Sequence, residues 1–213
     1  MLRIGILFFV IGINCHLFAT DGKGYYVTLK NDTVHVKFKL PRNPLLYPGI
    51  YLPKLQKEVE FYTDNKEKRV LYPSQVLSYS FTYLNDDDDR ETFSFVSKKN
   101  TLHLNATAFD SPDSSIFLNQ VIKGKLSLYI FYGSSSSPVG NGISTGFVNI
   151  PTTTPILEKA GGELFWYNSW KFKDELSKYL FDCPSVVAKL QDKKFKNRNI
   201  KDAVSEYNTD CGN

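Results

Sequence analysis

Residues 76–96 read VLSYSFTYLNDDDDRETFSFV, and their alternation sets the character of the first two thirds of the chain. Leu77, Tyr79, Phe81 and Tyr83 fall on one side of a period of two, and Ser78, Ser80 and Thr82 on the other. That is the pattern of a strand with one buried and one wet face. Asp86 to Asp89 interrupt it with charge, and Glu91 to Val96 run back along the first arm. The reading is a β-hairpin whose acidic tip is a solvated turn. Outward from it the same texture continues. Residues 24–30 (GYYVTLK) and 33–40 (TVHVKFKL) flank Asn31-Asp32, turn residues that tolerate positive φ. In the second arm Val34, Val36, Phe38 and Leu40 share one face, and His35, Lys37 and Lys39 the other. Residues 59–62 and 69–72 form a further strand pair, and residues 125–132 (KLSLYIFY) a core strand. Residues 114–121 (SSIFLNQV) read as strand or helical turn, and residues 101–105, which hold His103, as a short alternating segment.

Three stretches interrupt the strands. Residues 41–53 (PRNPLLYPGIYLP) carry four prolines, which donate no backbone N–H, so they read as an ordered crossing loop. Residues 133–146 (GSSSSPVGNGISTG) have little apolar area to bury and read as a mobile loop. Residues 151–155 (PTTTP) read as an extended crossing segment.

Near residue 169 the period becomes helical. Phe172, Leu176, Tyr179 and Leu180 stand at i, i+4, i+7 and i+8, with Ser169 as candidate N-cap. A second helix, with Asp182 as candidate cap and Pro184 in its first turn, carries Val186, Val187 and Leu190. A third carries Ile200, Ala203, Val204 and Tyr207 at i, i+3, i+4 and i+7. The short link between the last two makes them antiparallel, so the start of one lies beside the end of the other. Cys183 and Cys211 occupy those two places, and an even pair in an oxidising compartment reads as one disulfide. The expected fold is α+β: an antiparallel β-sheet or partly open barrel over residues 20–155, followed by a C-terminal three-helix segment, residues 156–213, packed on the sheet.

The first nineteen residues, MLRIGILFFVIGINCHLFA, place one arginine before a ten-residue apolar run and end on a small residue. This is the form of a secretory signal peptide, and the run is too short for the roughly twenty residues of a membrane-spanning helix. Residues 1–19 are therefore expected to be removed, leaving an exported, periplasmic or extracellular protein with no transmembrane helix. Lipid anchoring through Cys15 is argued against by Asn14, a large polar residue where a small one is needed.

The chain carries 26 basic and 22 acidic residues, too small an excess to imply a nucleic-acid partner. Only His35 and His103 follow the leader, so a Ser or Cys nucleophile lacks an obvious base. The acidic tip lacks the ligand spacing of a calcium loop, and residues 140–146 lack the lysine and helix of a phosphate loop. No catalytic residue, metal site or cofactor is expected. Paired carboxylates assembled by folding would make a hydrolase, and an empty apolar cavity a small-ligand carrier. The third reading is a non-enzymatic module binding a protein or surface partner such as an envelope protein or glycan. It is favoured by the 31 Phe, Tyr and Trp residues. Trp166 and Trp170 are its candidate interface, with packing of the helices on the sheet as their alternative role.

In residues 24–33 (GYYVTLKNDT), 72–76 (YPSQV), 117–129 (FLNQVIKGKLSLY), 179–184 (YLFDCP) and 206–208 (EYN), with Cys211, the sequence resembles a group of uncharacterised secreted proteins of Bacteroidota. The resemblance implies a cell-envelope location and a β-then-α build, and assigns no activity. In similar proteins the module stands alone or precedes an outer-membrane β-barrel. This chain, ending soon after Cys211, is expected to carry no barrel.

Overall fold

The computed structural model describes residues 20–42, 49–85, 87–104, 115–139 and 146–212, of which residues 20, 134–139 and 146–151 are described by backbone alone. Residues 1–19, with the expected leader and Cys15, lie outside them. Ten strands form one antiparallel open sheet: β1 (Thr20–Thr28), β2 (Thr33–Leu40), β3 (Val59–Tyr62), β4 (Lys68–Leu71), β5 (Val76–Leu84), β6 (Arg90–Lys99), β7 (Ser115–Ile122), β8 (Leu126–Val139), β9 (Gly146–Lys159) and β10 (Leu164–Phe165). Their order is β10-β9-β8-β7-β6-β5-β1-β2-β3-β4, so of sheet and partly open barrel the chain adopts the sheet.

Local chemistry explains the turns. Asn31 takes φ 67° between β1 and β2, and the Thr28 hydroxyl accepts the Lys30 and Asp32 N–H groups. At the acidic tip Asn85 Oδ1 accepts the Asp87 and Asp89 N–H groups. The carboxylates of Asp87 and Asp89 are thus attached to an organised turn, while Asp86 lies outside the described residues. Gly24 is required by close approach, because a Cβ there would lie 1.9 Å from the Ser80 carbonyl oxygen.

Several local expectations change. The register between β1 and β5 shifts at Val27/Thr28. Leu77 is thereby turned outward while Val76 takes its place in the core. The glycine- and serine-rich stretch is no loop over residues 133–139, for β8 runs through it and pairs with β9 residue by residue. Backbone pairing needs no large side chains, and glycine and serine do not prevent it. Residues 151–155 likewise lie within β9. Their prolines are tolerated because, among the described residues, β10 covers only Leu157 and Glu158 on the outer edge, so no described strand asks the Pro positions for an N–H on that side. Strand structure therefore continues past residue 155, to Phe165. Within the proline-rich crossing a short helix α1 (Leu52–Leu55) carries Pro53 in its first turn, where a missing N–H costs nothing. Residues 101–104 form a turn in place of alternating strand, with His103 at φ 51°.

One face of the sheet carries two cores. Phe38, Phe61, Tyr79, Phe81, Phe95 and Phe117 pack under α1, and the Tyr79 hydroxyl donates to the Leu55 carbonyl at 2.6 Å. Leu126, Leu128 and Leu157 meet the C-terminal helices α2 (Phe172–Tyr179), α3 (Pro184–Gln191) and α4 (Ile200–Asp210). On the opposite face Ile116, Leu118, Tyr129, Phe131 and Ile156 form a third cluster.

Strand β8 is held in a way that the sequence does not announce. Its even-numbered residues turn their backbone toward β7, which reaches only Leu128 and Ile130. At one end the fully buried Gln56 takes over: its Oε1 accepts the Tyr132 N–H at 2.8 Å and its Nε2 donates to the Tyr132 carbonyl at 2.7 Å. The Gln56 carbonyl accepts the Phe117 N–H at 2.9 Å. At the other end Asn208 of α4 accepts the Leu126 N–H at 2.8 Å and donates to the Leu126 carbonyl at 2.8 Å. Gly124 makes room for it, since a Cβ there would lie 2.5 Å from Asn208 Nδ2.

The helices follow the expected stripes: Phe172, Leu176, Leu180, Val186, Leu190, Ile200, Ala203, Val204 and Tyr207 are all buried. Their caps differ from expectation. Residues Ser169–Lys171 form a 3₁₀ turn capped by Asn168, whose oxygen accepts the Trp170 N–H. Cys183, not Asp182, is the residue that opens α3. Cys183 and Cys211 are joined, with Cα atoms 5.7 Å apart. Closing a loop of this length removes about 3.5 kcal/mol of unfolded-state entropy in the chain-entropy model. Replacing both cysteines by serine is predicted to lower the melting temperature by about 10 °C. Differential scanning calorimetry with and without reductant checks this, and the wild type under reductant should match the variant.

Candidate functional site

The helical cap is joined to the sheet by a polar cluster beside the disulfide. Lys159 at the end of β9 places Nζ 2.7 Å from Asp182 Oδ1. The same ammonium lies 5.1, 5.5 and 5.8 Å from the ring centroids of Tyr179, Phe181 and Tyr207, a cation among three aromatic faces. Tyr207 donates to Asp182 Oδ2 at 2.7 Å, and Tyr179 accepts the Lys159 N–H at 3.0 Å. Phe165 of β10 stacks on Tyr179 with centroids 4.0 Å apart. Burial acts to raise the Asp182 pKa, but hydrogen bonds from Lys159 and Tyr207 outweigh it and hold the carboxyl below its ordinary value. Burial, then Asp182, raise Tyr207.

With Phe165 and Tyr167 packed inward, their neighbours turn out. Trp170 is 95% exposed and Trp166 52% exposed, and past α2 Phe181 is 77% exposed. Both tryptophans of the candidate interface are therefore accessible, and packing on the sheet falls to Phe165, Tyr167 and Phe172. Phe181 was not singled out by sequence. It sits one residue beyond the stripe of Phe172, Leu176, Tyr179 and Leu180, and that offset was the available signal.

The remaining candidates do not converge on a reaction. His35 packs edge-on against Tyr25 at 5.9 Å, whereas His103 lies in the turn after β6. A polar group on the other face joins Lys98, Glu158 and Tyr129. Lys98 Nζ lies 2.6 Å from Glu158 Oε2, and the Tyr129 hydroxyl donates to that oxygen at 2.6 Å. Burial works to lower the Lys98 pKa, yet the hydrogen bond to Glu158 and the electrostatic interaction with Tyr129 leave it raised. Burial and Glu158 raise Tyr129. Neither is poised as a base near neutral pH. Among the described residues no group of three or more His, Cys, Asp or Glu is placed to hold a metal ion. Nor is any helix among them long and apolar enough to cross a membrane.

A carboxyl whose folded pKa lies below its unfolded value stabilises the fold above the unfolded value, and that contribution is lost as pH falls through the folded one. Asp182 is in this position. So is Glu60, where burial acts upward but the hydrogen bonds from Lys68 and Lys54 prevail. The melting temperature should thus fall on acidification below the ordinary values of 3.8 and 4.5. Asp182→Asn should lower it at pH 7 and narrow the gap between pH 7 and pH 3. The effect is small, because Asp182 is 40% exposed and solvent screens such pairs. Thermal melts by circular dichroism across that range test it.

No family model, curated protein or solved structure matches the chain.

Proposed function

We propose that the chain is an exported, non-enzymatic cell-envelope module that binds a protein partner through the aromatic surface of its helical cap. The observation that carries this reading is the 95% exposure of Trp170, a residue type that dominates binding energy when buried by a partner. Trp166 and Phe181 extend the same character on either side of α2. The disulfide, Asn208 and the Lys159–Asp182 pair fix the frame that displays them, so little ordering entropy remains to be lost on binding. Export is supported by the leader-like first nineteen residues, by a disulfide compatible with an oxidising compartment, and by the resemblance to secreted Bacteroidota proteins. The carrier reading has less support, since the cavity described below is open and lined with charge.

Affinity capture of the tagged protein from its own envelope fraction tests the proposal, with Trp166→Ala/Trp170→Ala as comparison. The wild type should recover a partner and the double variant should lose at least 90% of it, with unchanged circular dichroism. Equal recovery by both, or no partner together with turnover of a glycan or peptide, would overturn it.

A further inference from the structure

The register of Lys23 with Lys37 and Thr82, and of Lys37 with Tyr62, puts these four residues on one face of β5, β1, β2 and β3. It is the face opposite Phe38, Leu40 and Phe81. An open basin of about 1240 Å³ lies there, larger than the roughly 300–1,000 Å³ of ordinary small-molecule pockets. Its walls carry Lys23, Lys37, Lys66 and Arg90 against two carboxylates, Asp21 and Asp64. Asp21 is taken up by Lys37 at 2.6 Å. Among the described residues no carboxylate pairs with Lys23, Lys66 or Arg90.

Two of these cations stand on organised turns. Lys66 holds φ 62° in a turn closed by Thr63, which accepts the Glu67 N–H through its hydroxyl and the Lys66 N–H through its carbonyl. Arg90 follows the tip ordered by Asn85. Tyr62 adds an aromatic ring to the wall.

We propose that this basin binds an acidic oligosaccharide, a chain of uronate sugars, lying across the four strands. Lys23, Lys66 and Arg90 supply charge to the sugar carboxylates, Tyr62 a ring for a pyranose face, and Asp64 an acceptor for sugar hydroxyls. The two carboxylates decide against a nucleic acid, whose phosphates follow one another every few ångströms and would meet Asp21 and Asp64 with like charge. They suit a sugar polymer, which offers hydroxyl donors between its charges. The basin is built from β1–β3 and β5, the turn after β3 and the start of β6, away in strand order from the aromatic cap, so this inference does not rest on the proposed partner site.

Isothermal titration of the purified protein with tetramers of galacturonate and of mannuronate tests it. Methyl-esterified tetragalacturonate and inorganic polyphosphate serve as comparison probes. Binding of at least one uronate tetramer, no binding of the neutral ester, and a loss of at least tenfold in Lys23→Gln/Lys66→Gln/Arg90→Gln are expected. The remote variant Lys193→Gln/Lys196→Gln/Lys201→Gln, with the same change in net charge, should stay within twofold of wild type. Three results would overturn the proposal: no binding of either tetramer, equal loss in the two variants, or polyphosphate binding as tightly with the same dependence on the basin.

Discussion

Leu126 and Tyr132 mark the two ends of the β8 edge that faces β7, and at each the missing strand is replaced by a side-chain primary amide. A buried N–H or C=O left unpaired costs about 1–3 kcal/mol, so an edge that β7 covers only at Leu128 and Ile130 must find other partners. Asn208 and Gln56 supply them with the donor and acceptor of one amide each. The consequence reaches beyond β8. Asn208 can meet Leu126 only if α4 lies against the sheet, and Gln56 can meet Tyr132 only if the proline-rich crossing brings α1 under it. Two remote segments are thereby fixed to the same strand.

With α4 seated, the rest of the cap follows from it. The disulfide ties the start of α3 to the end of α4, and Asp182, one residue earlier, joins Lys159 to Tyr207. The inward places are filled by Phe165, Tyr167, Phe172 and Leu176, which leaves Trp166, Trp170 and Phe181 outside. Rigidity and exposure therefore have one origin. A cap with fewer tethers would expose the same rings only at the cost of ordering them upon contact.

Much of this architecture was legible because it is local. Alternation identified β1, β2, β5 and β6, a period of 3.6 identified the buried stripes of α2 to α4, and the two cysteines fell where an antiparallel helix pair brings its ends together. What escaped was of two kinds. Residues 133–139 and 151–155 look like loop by composition, yet each is pairing backbone within the β8–β9 hairpin, where side-chain content has little say. Gln56 and Asn208 act across 76 and 82 residues of sequence, and no short-range pattern marks an amide that will stand in for a strand. The basin escaped for a related reason: Lys23, Lys66 and Arg90 are ordinary surface cations until strand order gathers them.

The most direct test of the account is amide hydrogen exchange at Leu126, Ile130 and Tyr132 in the wild type, in Asn208→Ala and in Gln56→Ala. The account predicts that Asn208→Ala reduces protection at Leu126 at least tenfold more than at Ile130, and that Gln56→Ala does the same at Tyr132. Uniform loss of protection at all three amides in both variants, or no loss at Leu126 and Tyr132, would contradict the claim that these two side chains complete the edge of β8.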